Sequence, residues 1–112
     1  MPIQRWSDQI WVVQLATDPA FSDELDSLRE QAASAQPQPD IVLDFSEATN
    51  LNSSNLSQLL RLRKDVTDRE ARLRLAGPPD HVWAIFLATG LDKVFDFATD
   101  TSTALAELQI DS

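Results

Sequence analysis

The chain has 112 residues, 43% of them hydrophobic, which is enough for one domain with one core. Its formal net charge of −9 disfavours a phosphate backbone or an anionic membrane surface as partner. Cysteine is absent, which excludes disulfides and thiolate chemistry. The first residues, Met1 to Trp6, have neither the charged start nor the apolar run of a signal peptide. No segment approaches the roughly 20 apolar residues that span a bilayer. The expectation is a cytoplasmic domain without direct membrane insertion, binding no nucleic acid.

Ile3 to Trp6 and Ile10 to Leu15 read as two short strands, with Ser7-Asp8 as the turn of a hairpin. Asp18-Pro19 suits an N-cap followed by proline at the first helical position. Phe21, Leu25, Leu28 and Ala32 then recur at helical spacing, with Asp23, Glu24, Asp26 and Glu30 on the outer side. Two prolines, Pro37 and Pro39, end that segment. Ile41-Val42-Leu43, continued by Asp44 and Phe45, is apolar without alternation, as in a central strand covered on both faces.

Leu51 to Glu70 predicts a second helix with Leu56, Leu59, Leu60 and Val66 buried and Leu62 or Arg63 at the edge. Arg72 to Leu75 alternates as a strand with one wet face. Asp80 is placed to cap a third helix carrying Val82, Trp83, Ile85, Phe86 and Leu87. Gly90 fits the left-handed position after it, with Leu91 folding back. Val94 to Ala98 predicts a last strand. Thr101 to Ile110 predicts a last helix with Leu105 and Leu108 inward. The order β-β-α-β-α-β-α-β-α implies an α/β domain over residues 1–112, with a mixed, mostly parallel sheet and crossover helices.

Three segments carry a family resemblance. Ile41-Val42-Leu43-Asp44-Phe45-Ser46 leads to Asn52-Ser53-Ser54-Asn55-Leu56 and then to Leu60-Arg61-Leu62-Arg63-Lys64. Ala88-Thr89-Gly90-Leu91-Asp92-Lys93-Val94-Phe95 follows. In this order they resemble the "VVLDLS", "DSSGL", "RLRK" and "TGLDxxF" segments of STAS domains, the fold of bacterial anti-sigma factor antagonists. The likeness runs over roughly residues 3 to 110. Asn52 and Asn55 stand where that family carries aspartate and glycine.

The resemblance implies a non-enzymatic regulatory module. Its unphosphorylated form would bind an anti-sigma factor that is also a serine kinase. Phosphorylation of the first serine of the motif would end the complex, and a phosphatase would restore it. By position the phosphoacceptor is Ser53, with Ser54 as second choice. The partner surface would centre on Asn50, Leu51, Asn52, Ser53, Ser54, Asn55 and Ser57. The alternative is a constitutive STAS-type interaction subunit of a signalling assembly or transporter complex, without phosphate cycling.

Local chemistry suits a switch there. The first N–H groups of a helix have no partner inside it. Asn52 is a good N-cap, and Leu51 and Leu56 have the spacing of a hydrophobic staple around it. A phosphate adds about −1.5 to −2 charges. The helix N-terminus favours such an anion by roughly 0.3–1 kcal/mol, so the cost falls on a partner packed against it.

Other residues offer less. His81 is the only histidine and has no second ligand nearby in sequence, so no metal site is expected. Asp40, Asp44 and Glu47 lack an adjacent nucleophile and base, and with two glycines there is no phosphate-cradling loop. No cofactor is expected. Six of the nine basic residues lie between Arg61 and Arg74, and read as a solvated helix face or a dock for an acidic partner. Trp6, Trp11 and Trp83 read as core or edge-packing aromatics.

Overall fold

A computed structural model describes residues 3–110. Strands β1 (Ile3–Arg5) and β2 (Ile10–Ala16) are followed by α1 (Ala20–Ala33), β3 (Asp40–Glu47), α2 (Ser53–Asp68) and β4 (Leu73–Ala76). Then come α3 (Asp80–Thr89), a single 3-10 turn over Leu91–Lys93, β5 (Phe97–Ala98) and α4 (Thr101–Ile110). The strands lie in sequence order, β1-β2-β3-β4-β5. Only β1 and β2 are antiparallel, in register Ile3↔Val13 to Arg5↔Trp11. The remaining pairs are parallel, as crossover helices require.

The hairpin turn is built by Ser7. Its Oγ accepts from the N–H groups of Gln9 and Ile10, both at 3.1 Å. Its own N–H donates to the Ile10 carbonyl. Trp6 leaves the ladder and is exposed, while Trp11 is buried beneath the Arg5 guanidinium, 4.8 Å from its ring.

The central strand β3 buries Ile41, Val42, Leu43 and Phe45 on both faces. On one face α1, α2 and α3 seal Val13, Leu15, Ile41, Leu43 and Leu75 beneath Phe21, Leu25, Leu59, Leu62 and Phe86. Aromatic rings run through this layer, Phe21 to Phe45 at 6.1 Å and Phe45 to Phe86 at 6.0 Å. Phe86 continues to Phe95 and Phe97, and Trp83 packs edge-on against Phe97 at 5.0 Å. On the other face α4 alone covers Val42, Ala76 and Ala98 with Ala104 and Leu108.

Several expected details change. Pro19, not Asp18, is the residue before α1, and Pro79, not Asp80, precedes α3; neither makes a side-chain cap. Asp18 instead reaches the Ser22 N–H from one position further out, at 2.8 Å. In α2 the buried stripe is Asn55, Gln58, Leu59, Leu62 and Val66. Leu60 is exposed and Leu56 only half-buried, because the helix turns its polar residues toward α1.

The predicted wet face of β4 is covered by α4. Arg74 lies beneath it and pairs with Asp96 at 3.3 Å and Glu107 at 3.5 Å. The last strand is shorter than predicted. The N–H groups of Val94 and Phe95 both return to the Leu91 carbonyl, so the backbone is still turning there and pairs with β4 only near Phe97. Leu105 is half-buried, and Ala104 takes the inward position. Gly90 does adopt the left-handed conformation, φ 77°, and its N–H closes α3 on the Leu87 carbonyl.

Candidate functional site

The segment from Ser46 to Ser57 leaves the carboxyl end of β3 and turns into α2. The loop is fixed at both sides. Thr49 donates its N–H to Thr17 Oγ1 at 2.9 Å, and the two threonine hydroxyls meet at 2.9 Å. Asn50 Oδ1 accepts from His81 Nε2 at 3.1 Å, tying the loop to the start of α3.

Helix α2 then opens with a reciprocal capping box. Asn52 Oδ1 accepts the Asn55 N–H at 2.8 Å, and Asn55 Oδ1 accepts the Asn52 N–H at 3.1 Å. Asparagine at the third helical position thus does what glutamate or glutamine usually does, satisfying a donor just outside the helix. Glycine there could not. Leu51 is buried in the same apolar cluster that the half-buried Leu56 packs against, consistent with the staple.

The sequence reading missed what lies beneath. Asp18, two residues before α1, and Ser22 and Asp26 on α1 face Asn52, the cap of α2, and Asn55 and Gln58 on α2. Asp18 Oδ1 receives the N–H and hydroxyl of Ser22, each at 2.8 Å. Asp18 Oδ2 receives the side-chain amides of Asn52 at 2.8 Å and Asn55 at 3.0 Å. Gln58 Nε2 donates to the Ser22 carbonyl at 3.3 Å and to Asp26 Oδ1 at 3.4 Å. Asn55 is 1% exposed, so its amide depends on these acceptors. The signal was present in two matched rows, Asp18-Ser22-Asp26 and Asn52-Asn55-Gln58, each at helical spacing.

Partial desolvation alone would raise the Asp18 pKa. The donors from Ser22, Asn52 and Asn55 outweigh it and hold the carboxyl down to about 2. A carboxylate therefore sits at the start of α2, although residue 52 itself is an amide.

Ser53, Ser54 and Ser57 are exposed, and no hydrogen bond holds their hydroxyls among the described residues. The N–H groups of Ser53 and Ser54 are likewise without a partner there, as expected for the first turn of a helix. Asn50 and Asn52 are also exposed, whereas Leu51 and Asn55 lie below the surface. Of the seven residues expected at a partner surface, five are therefore exposed and two are buried.

The carboxylates of β3 do not converge. Asp40 pairs with Arg72 at the start of the strand. Asp44 accepts from the Ser46 N–H about 13 Å further along. Among the described residues no helix is long and apolar enough to cross a membrane.

The profile of the "Mlab, STAS domain" family matches residues 4–99. No curated protein sequence matches the chain significantly. Solved structures do share its fold. RsbS of Moorella thermoacetica, with a serine-to-glutamate substitution, superposes with a TM-score of 0.79 at 18% identity, covering 97% of this chain and 96% of that one. The anti-sigma factor antagonist SpoIIAA in its unphosphorylated form gives 0.76 at 18% identity, with 96% and 94% covered. The phosphorylated form of the Bacillus cell fate determinant SpoIIAA gives 0.68 at 17% identity, with 95% and 96% covered.

Proposed function

Because the chain belongs to the STAS domain family, we propose that it is a regulatory module of the anti-sigma factor antagonist type. In this reading it binds an anti-sigma partner that is a serine kinase, and phosphorylation of Ser53 ends the complex. The observation that carries the reading is the state of Ser53. It is exposed at the first position of a helix whose cap is locked, with its own and the next N–H unpartnered among the described residues. Asn50, Asn52, Ser54 and Ser57 complete the exposed surface around it.

A phosphate on Ser53 would meet the helix dipole and those free N–H groups, which favour it. The Asp18 carboxylate nearby opposes it, but that charge is already taken up by four donors. The fold therefore survives modification, while a partner packed on the first turn would have to bury an unpaired dianion at a cost of several kcal/mol. Each 1.4 kcal/mol is about tenfold in affinity. One modification is enough to dissociate such a complex, and a phosphatase would reverse it. That SpoIIAA has been solved in phosphorylated and unphosphorylated forms supports the reading by analogy of fold.

A second reading is a constitutive interaction subunit. It is favoured by one observation: Asn52 and Asn55 already lock the helix start to Asp18 without any phosphate. Intact mass of the protein from its own host, before and after phosphatase treatment, separates the two. A phosphatase-sensitive shift mapped to Ser53 is expected for the switch. An unshifted mass across growth conditions, with partner binding unaffected by Ser53→Glu, would overturn it in favour of the constitutive subunit.

A further inference from the structure

At the amino end of the parallel strands, the β1–β2 hairpin and the end of α1 border a cleft of about 580 Å³, a size typical of small-ligand sites. Its floor is Trp11, which is 4% exposed. Arg5, the cross-strand neighbour of Trp11, lies over the indole with its guanidinium carbon 4.8 Å from the ring centroid. Asp8 lines the hairpin side, and Gln31, Ser34 and Gln36 line the α1 side.

The polar groups around this cleft are uncommitted. Arg5 and Asp8 are the only charged side chains that line it, and they do not pair with each other. Apart from the indole, Arg5 has no partner among the described residues. Asp8, the Ser34 hydroxyl and the Gln36 amide have none at all there. Gln31 spends its amide nitrogen on Ser27 Oγ at 3.0 Å and leaves its Oε1 open. Helix α1 ends here with no basic residue in its last turn, so the negative end of its dipole is also unanswered. Asp40, whose N–H meets the Gln9 carbonyl beside the turn, is already paired with Arg72.

Opposite charges that share one cleft without meeting suit a ligand that carries both. We infer that the cleft binds a small zwitterion of the α-amino acid class. Its carboxylate belongs on the Arg5 guanidinium, which offers paired N–H donors. Its ammonium belongs between Asp8 and the carbonyl end of α1. The amides of Gln31 and Gln36 and the Ser34 hydroxyl favour a polar side chain on the ligand. A simple anion meets Asp8 and the helix end, and a simple cation meets Arg5, so each is served by half of the cleft and opposed by the other. A quaternary ammonium needs an open aromatic face, and Arg5 already covers Trp11. Helix α1, 14 residues and about 20 Å long, separates this cleft from Ser53. The inference therefore goes beyond the partner-binding reading and stands with or without phosphorylation.

The test is isothermal titration calorimetry of the intact chain with the free L-amino acids and glycine betaine. Every binder is repeated as its N-acetyl form, which lacks the ammonium, and as its carboxamide, which lacks the carboxylate. At least one polar amino acid is expected to bind, each blocked form to bind at least about tenfold more weakly, and betaine not to bind. Arg5→Gln should weaken the amino acid by a similar factor without further weakening its carboxamide. Asp8→Asn should weaken it without further weakening the N-acetyl form. The blocked ligands probe the same contacts on unaltered protein, so the result is readable even if a variant misfolds. With Trp11 as the only tryptophan, through Trp6→Phe and Trp83→Phe, its emission should shift as the ligand draws Arg5 away from the ring. No binding by any amino acid up to about 10 mM would overturn the inference. So would blocked forms that bind equally well, binding of betaine, unchanged Trp11 emission, or affinity indifferent to both Arg5→Gln and Asp8→Asn.

Discussion

Replacing Asp18 by alanine tests whether the polar contact between α1 and α2 stabilises the fold. The carboxylate accepts four hydrogen bonds, two from Ser22 and one each from Asn52 and Asn55. Bonds to a charged group contribute about 1.5–3 kcal/mol each when both partners are buried. Asp18 is only half-buried, and Ser22 and Asn52 regain water when it is removed. The buried Asn55 amide does not; it retains only Ser22 Oγ and Gln58 Oε1, both at 3.4 Å. The expected loss is therefore about 2 kcal/mol, set by that one stranded group rather than by the sum. For a chain of 112 residues this lowers Tm by about 8 °C. The loss must also depend on pH. The folded-state pKa is depressed from 3.8 to about 2. The stabilisation is fully present above the unfolded value and disappears as pH falls through the folded one. Thermal melts of the two proteins from neutral pH downward should keep a constant gap to about pH 4, then converge toward about pH 2. A gap under about 0.5 kcal/mol at neutral pH, or one that persists unchanged in acid, would refute the reasoning.

Asn55→Gly introduces the glycine of the motif that this segment resembles, yet it removes the side-chain half of the capping box and an Asp18 donor, leaving only the bond from the residue-55 N–H to Asn52 Oδ1. Urea denaturation should show a loss of about 2 kcal/mol. Ser53→Ala, at an exposed position without a side-chain hydrogen bond, should leave stability within about 0.5 kcal/mol of the parent while abolishing any phosphatase-sensitive mass shift. Gly90 has φ 77° and no atom within 4 Å of the place a Cβ would take, so alanine there should cost about 1–2 kcal/mol from backbone strain alone. Asparagine there should cost less, and equal losses for the two in thermal melts would argue that packing rather than φ sets the penalty.

Most of the fold was legible because its periodicities are local. The continuous run Ile41 to Leu43 marked the central strand, and Gly90 marked the end of α3. What failed depended on contacts distant in sequence. Leu60 satisfies the helical period as well as Leu62 does, and only the packing of Gln58 against Ser22 decides which of them turns inward. Arg74 alternates like a solvent-facing strand residue, but α4 lies over it and supplies Glu107. Val94 and Phe95 have strand-forming side chains, yet their N–H groups are claimed by Leu91 before a ladder can start. At the site, the exposure of Ser53 and the Asn52 cap followed from the motif. The burial of Asn55 did not, since its reason is a carboxylate 37 residues away.

The Asp18–Ser22–Asp26 row against Asn52–Asn55–Gln58 also has a mechanical consequence. Leucine against leucine tolerates sliding, because dispersion has no direction. Paired donors and acceptors do not: a slip of one helical turn, about 5.4 Å, moves every rung out of reach. The two helices therefore keep one register, like meshed racks. A load applied at Ser53 cannot be absorbed by α2 gliding along its neighbour. It is handed across the rungs to α1 and through the Thr17–Thr49 clasp to the end of β2, so the whole flank answers as one stiff part.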